Sequence, residues 1–181
     1  MVYGNEKRSK LLIYTGIFTA LIAVGGWISI PLFAVPFTLQ TLFVLLASVV
    51  MKRYAVLPAL LYVILGTVGL PIFHNGTAGI GVILGPTGGF IVGFIFAALA
   101  AGLFFEKGKT VLDIAGFAVA TVIVYATAVI WFMVSSGSDF IGALFVCVVP
   151  FIIGDFIKAA VAFLIQRRIR CRNNITGKSD D

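Results

Sequence analysis

Residues 11–51 read LLIYTGIFTALIAVGGWISIPLFAVPFTLQTLFVLLASVVM, without a single Asp, Glu, Lys or Arg. An α-helix rises 1.5 Å per residue, so one helix over this stretch would be about 60 Å long, twice the roughly 30 Å hydrocarbon core of a bilayer. Two helices must share it. Pro31 and Pro36 bracket the break, because proline removes a backbone donor and disfavours helical geometry in the residue before it. The reading places the first two helices at residues 10–30 and 37–51.

The same arithmetic extends outward. The charge-free run from Tyr54 to Phe105 again holds two helices, at 54–70 and 89–105. Between them lies a long apolar loop whose Gly and Pro density rules out regular helix, and which is expected to fold back over the bundle, buried in protein or lining a cavity. A fifth helix is expected at 111–134 and a sixth within 141–170, with Pro150 either kinking it or standing at its first turn. The fold class expected is therefore an all-α integral membrane bundle of six helices. It forms a single membrane domain over residues 1–181, ending in a basic tail at 167–181.

Orientation follows from charge. Lys7, Arg8 and Lys10, Lys52 and Arg53, Lys107 and Lys109, and Arg167, Arg168, Arg170, Arg172 and Lys178 all fall on one side if both termini are cytoplasmic. The only other basic residue, Lys158, lies inside a span. This obeys the positive-inside rule, whereas an odd helix count would put basic clusters outside. The loop between helices three and four then faces outward, and a prokaryotic plasma membrane is the expected location.

Composition agrees. The chain is 61% hydrophobic and 11% charged, with a mean hydropathy of +1.14, where a soluble domain carries about 25% charge. The net charge of +6 is divided into short clusters between apolar runs rather than a continuous stripe, which argues against nucleic acid as a partner. Cys147 and Cys171 give no disulfide framework. With His74 the only histidine, no metal-ligand set exists; His74 reads as a loop histidine rather than a ligand. Gly85-Pro86-Thr87-Gly88-Gly89 lacks the Lys-Ser/Thr of a phosphate loop. No cofactor or catalytic set is expected, and no ATPase motif is present, so any energised process needs another subunit or an ion gradient.

Asp155 and Lys158 are the ionisable side chains well inside a span; Asp113 lies near the inner end of helix five. Each intramembrane charge costs about 2.5–3.5 kcal/mol on insertion scales. A spacing of three puts both on one helical face, where they can pair. One reading is a structural ion pair; the other is a polar pocket that shares the pair with a ligand carrying donors and acceptors. Gln40, near the outer end of helix two, either caps such a pocket or bonds a neighbouring helix.

Several ordered segments resemble the BioY family, the biotin-binding S components of energy-coupling-factor (ECF) transporters. They are Ile28-Ser29-Ile30-Pro31-Leu32 with Val35-Pro36-Phe37-Thr38-Leu39-Gln40-Thr41-Leu42, then Gly69-Leu70-Pro71-Ile72-Phe73, Leu84-Gly85-Pro86-Thr87-Gly88-Gly89-Phe90, and Gly154-Asp155-Phe156-Ile157-Lys158-Ala159-Ala160. The resemblance implies a non-enzymatic protein for biotin uptake, with the ligand held near the outer face. It implies as partners a transmembrane coupling protein and two ATPase subunits, besides biotin and the lipid bilayer; self-association is an open alternative. It assigns Asp155 and Lys158 to biotin, Asp155 accepting from a ureido N–H and Lys158 donating to the ureido carbonyl or the tail carboxylate. Asn75 and Gln40 are further candidate polar contacts, and Tyr62, Phe73 and Phe90 candidate apolar walls. The family's Ala-x-x-x-Ala docking motif on helix one has as its nearest counterpart here Gly16-x-x-x-Ala20, small but not identical. The competing readings are an S component for thiamine or riboflavin, and a membrane-embedded enzyme or assembly factor.

Overall fold

The computed structural model describes residues 3–32 and 34–176, with side chains over 7–32 and 34–172. Lys178 and the rest of the expected tail beyond 176 lie outside the described residues. Helix α1 covers Tyr3–Trp27, and a short antiparallel hairpin follows, β1 (Ser29–Ile30) with β2 (Phe37–Thr38), pairing Ser29 with Thr38 and Ile30 with Phe37. Then come α2 (Gln40–Met51), a 3-10 turn (Lys52–Ala55), α3 (Val56–Val68), a second turn (His74–Gly76), α4 (Ile80–Leu84), α5 (Gly88–Phe105), α6 (Thr110–Ser136), α7 (Phe140–Cys147) and α8 (Ile152–Thr176).

Three expectations need correction. The first helix was placed at 10–30 but occupies 3–27: Pro31 favours extended backbone at Ile30, and residues 28–30 leave the helix for the hairpin. At its other end the helix runs on through exposed Lys7, Arg8, Ser9 and Lys10, beyond what a hydrophobic run alone would mark. The loop between the third and fourth expected helices is not wholly irregular, since Ile80–Leu84 is helical. The sixth expected helix is two, α7 and α8, bent by 49°; Pro150 stands in the turn between them, two residues before α8 begins.

Lys7–Trp27, Gly88–Phe105 and Thr110–Ser136 are each long and apolar enough to cross a membrane, and the bent α7–α8 pair makes one more such stretch. Gln40–Val68 also qualifies by length and composition, but it is not one rod. Lys52 takes φ 55° and ψ −134°, and the Gln40 side-chain amide donates to the Tyr62 hydroxyl. A continuous helix would hold those residues about 33 Å apart. Helices α2 and α3 therefore fold back on one another about the turn at Lys52–Ala55. At the far end of α3, Gly69 (φ 119°) stops the helix: its N–H reaches Gly66 O at 3.3 Å, and that of Leu70 reaches Leu65 O at 3.0 Å, the double bond of a Schellman cap.

Packing is by small residues. In a bilayer, lipid tails are as apolar as leucine, so helices associate by close contact rather than by escape from water. A Cβ on Gly89 of α5 would fall 2.9 Å from the Ala128 Cα of α6, and Ala97, Ala98 and Ala101 are buried in the bundle. The outside is apolar instead: Val111, Val122, Val134, Ile153 and Phe156 are each more than 60% exposed. Such a surface requires hydrocarbon as its solvent, and the protein is a multi-pass membrane protein.

Candidate functional site

Helix α8 turns the usual pattern inside out. Asp155, Lys158, Ala162 and Gln166 are buried along one stripe, while Phe156 and Ile157 beside them are exposed. The α7–α8 turn sets where this stripe begins, and Asp155 falls in the first turn of α8, where a carboxylate is favoured by the helix dipole. Lys158 Nζ lies 2.8 Å from Asp155 Oδ1, with side chains 6% and 9% exposed.

Neither charge is left to its partner alone. Lys158 donates to Thr41 Oγ1 at 2.9 Å and sits 3.8 Å from the centroid of the Phe37 ring, within range of a cation–π attraction. Tyr125 donates to Asp155 Oδ2 at 2.7 Å, and Thr41 Oγ1 is 3.3 Å from Oδ1. Charge-assisted bonds of this kind hold an ionised carboxylate in a fixed orientation. Phe37 belongs to the hairpin and reaches α8 because Gly154 has no side chain; a Cβ there would strike the ring. Phe37 stacks in turn on Phe151, with centroids 6.0 Å apart.

Above the pair lies a cavity. The hairpin segment gives it Val35, Pro36 and Thr38, α2 gives Gln40 and Thr41, and the loop after α3 gives His74. Thr87 and the start of α5 add Phe90, Ile91 and Phe94, and Phe151 stands with Asp155 and Lys158 on the remaining side. Its volume is about 30 Å³, room for about two waters. A smaller void lies against the same pair, closed by Val44, Leu45, Ala97, Ala120 and Val124. Two exposed bonds tie the loop after α3 to its neighbours: Trp27 Nε1, at the end of α1, donates to Pro71 O at 3.0 Å, and the Ser29 hydroxyl of the hairpin to the Asn75 side-chain oxygen.

Of the residues singled out from sequence, Asp155, Lys158, Gln40 and Phe90 meet in this cavity. Tyr62 and Phe73 do not line it. Both are fully buried, packed edge to face at 5.3 Å, with Phe73 seated over Gly66. Tyr62 acts one step back, through its bond to Gln40. Asn75 is exposed and in left-handed geometry (φ 54°), so in this conformation it latches loop to hairpin rather than facing the cavity. Gly16 and Ala20 are exposed on α1, and nothing lies within 4 Å of a Cβ built on Gly16.

Sequence reasoning missed Thr41, Tyr125, Thr87 and His74. Thr41 was marked only by its neighbour Gln40, and Tyr125 by a hydroxyl in an apolar run that also holds Thr121 and Thr127. His74 was read as a loop residue, yet it lines the cavity with Nε2 3.1 Å from Thr87 Oγ1. Burial pushes its pKa below the usual histidine value of 6.5, so the ring is neutral at pH 7. Among the described residues no group of three metal-ligating side chains occurs.

With this geometry in hand, comparison with known proteins is informative. A family model described as the BioY family matches residues 4–174. A biotin transporter BioY from Thermotoga maritima is 47% identical over 163 residues, spanning 89% of this chain and 96% of that protein. A probable biotin transporter BioY from Pyrococcus horikoshii is 37% identical over 164 residues, spanning 90% and 98%. Among solved structures, the S-component for biotin from an ECF-type ABC transporter aligns with a TM-score of 0.81 at 27% identity, covering 92% of this chain and 93% of that one.

Proposed function

The chain belongs to the BioY family, and from that premise we propose that it captures biotin for uptake, as the S component of an ECF-type transporter. The observation that carries this reading is the Asp155–Lys158 pair, buried within the bundle yet facing a cavity. The relatives are transporters, not enzymes, and the role here is binding.

Biotin's ureido ring offers two N–H donors and a carbonyl acceptor. Asp155, already oriented by Tyr125 and Thr41, accepts from a ureido N–H, and Lys158 donates to the carbonyl. Gln40 and Thr41 complete the polar edge, while Phe90, Phe94 and Phe151 supply apolar walls. Pockets for small molecules run to about 300 Å³ or more, so the present cavity has to widen on binding. The hairpin strand β1 and the turn after α3 meet through an exposed side-chain bond, Ser29 to Asn75, and this is the contact that yields most readily.

The chain is a single membrane domain of six crossings, with α1, α2, α3, α5, α6 and the α7–α8 pair each passing once and both termini cytoplasmic. The fold-back of α2 on α3, inferred from the Gln40–Tyr62 bond, supports the count, and the distribution of Lys and Arg supports the orientation. The cavity then opens toward the outer side of the cell membrane. The partners are a transmembrane coupling protein and two ATPase subunits. Gly16 and Ala20 on α1 form a small-residue face on which a partner helix can approach closely.

The test is a titration of the purified protein with biotin, thiamine and riboflavin, alongside Asp155→Asn and Lys158→Ala. Saturable biotin binding that either substitution removes is the expected result. A response to another vitamin and none to biotin rejects the reading, and undiminished binding in both variants discards the site.

A further inference from the structure

Biotin also carries a carboxylate at the end of its tail, and the Asp155–Lys158 pair is a poor place for it. Asp155 repels a second carboxylate. Two of the three Lys158 protons are directed to Asp155 and Thr41, leaving one for a ligand. A different group in the same cavity is unspent: the Nδ1 atom of His74 is buried and has no hydrogen-bond partner among the described residues. Buried polar atoms in folded proteins are nearly always paired, so an orphaned nitrogen on a ring that lines the cavity marks a position where a partner is missing.

We infer that His74, with Thr87, receives the carboxylate of the ligand's tail, leaving Asp155, Lys158 and Thr41 to the ureido ring. This rests on the biotin reading above. The Thr87 hydroxyl at 3.1 Å from Nε2 fixes the plane of the imidazole, as a hydrogen bond to one ring nitrogen sets the role of the other. Both residues stand on segments separate from α8, His74 in the loop after α3 and Thr87 just before α5, so the cavity has polar groups from independent elements. The two ends of an asymmetric ligand are then told apart by charge: a carboxylate acceptor at one, a neutral ring able to become cationic at the other.

The arrangement has a consequence in pH. In the free protein, burial disfavours the imidazolium and holds the His74 pKa below 6.5. A carboxylate beside the ring favours the charged form and raises that pKa. The other ionisable groups lining the cavity are Asp155 and Lys158, with Tyr62 behind Gln40. The bound state therefore holds more protons than the free state between the two pKa values. Affinity grows as pH falls through the bound-state value and levels off below the free-state value.

The experiment is calorimetric titration of the full chain in nanodiscs with biotin and with biotin methyl ester, which keeps the ring and loses the charge. Wild-type protein is expected to prefer biotin by about 10- to 100-fold, the range of a charge-assisted hydrogen bond. The preference should strengthen from pH 8 to pH 6. In His74→Ala the preference for biotin over its ester should collapse to within about threefold. His74→Gln, of similar size and always neutral, should lose the pH effect. Retention of the preference in both His74 variants overturns the inference, as does its disappearance in Lys158→Ala alone, which would assign the tail to Lys158. An equal loss for both compounds in the His74 variants overturns it too, reducing His74 to a wall. Failure of wild-type protein to bind either compound brings down the biotin reading itself.

Discussion

Two buried carboxylates in this protein each meet a cation at 2.8 Å, and they do different things. Asp155 pairs with Lys158 three residues along the same helix. Asp113 of α6 pairs with Arg170 of α8, bridging two helices near the basic end of the bundle. The Asp155–Lys158 pair lies within one helix and reaches α2 and α6 through single hydroxyls, Thr41 and Tyr125, so its bonds are available to a third party. An interhelical pair contributes to the fold. The surroundings match: the first pair faces a cavity, whereas Asp113 is 1% exposed and its cation, at 30%, reaches toward the surface. Equal distance does not mean equal role, and what separates the two is which elements the pair connects and whether open space adjoins it.

The strongest way to break this comparison is at Asp155. Asp155→Asn should weaken biotin binding by about 30- to 5,000-fold, in line with the roughly 2–5 kcal/mol cost of unpairing a buried charge. Replacing both Asp155 and Lys158 with Leu should abolish binding while leaving the thermal unfolding midpoint at or above that of wild type, because apolar substitution of a whole buried pair is often neutral or stabilising. A double variant that fails to fold would make this pair structural after all.

Asp113→Asn should do the reverse. Its expected cost is about 1–3 kcal/mol of stability, below the full value for a buried pair because Arg170 can turn to solvent, with biotin affinity within about threefold of wild type. Binding lost in this variant without loss of stability would erase the distinction between the two pairs. The smallest effect is expected at Tyr125→Phe, which removes one donor to Asp155 while Lys158 and Thr41 remain: about 1.5 kcal/mol, the low end for a bond to a charged group, or roughly 10-fold weaker affinity by titration. If that change lowers the unfolding midpoint instead of the affinity, Tyr125 serves the α6–α8 contact rather than the site.

Half of this site was legible before folding. Asp155 and Lys158 declare themselves because charge inside an apolar span is costly wherever it occurs, and their spacing puts them on one helical face. Gln40 stood out on the same ground. Thr41 and Tyr125 did not, because a hydroxyl in an apolar run costs little and is common; only the approach of α2 and α6 to α8 gives these two a role. His74 was passed over because a loop histidine carries no periodic signal, and its value comes from a cavity built by four other segments. The seats of Tyr62 and Phe73 were not legible either: an aromatic near a site motif packs as readily in the core as on a wall, and Gly66 leaves a seat for the Phe73 ring.

By itself, the sequence determined that the chain lives in a bilayer, where its helices must break, and which charges are out of place, since each of these is a local matter of length, hydropathy or cost per residue. Tertiary structure alone decided which carboxylate holds the bundle and which faces open space. Burial, cavity and hydrogen-bond partner are properties of residues far apart in the chain, and nothing in their spacing along it specifies how α2, α5, α6 and α8 come together.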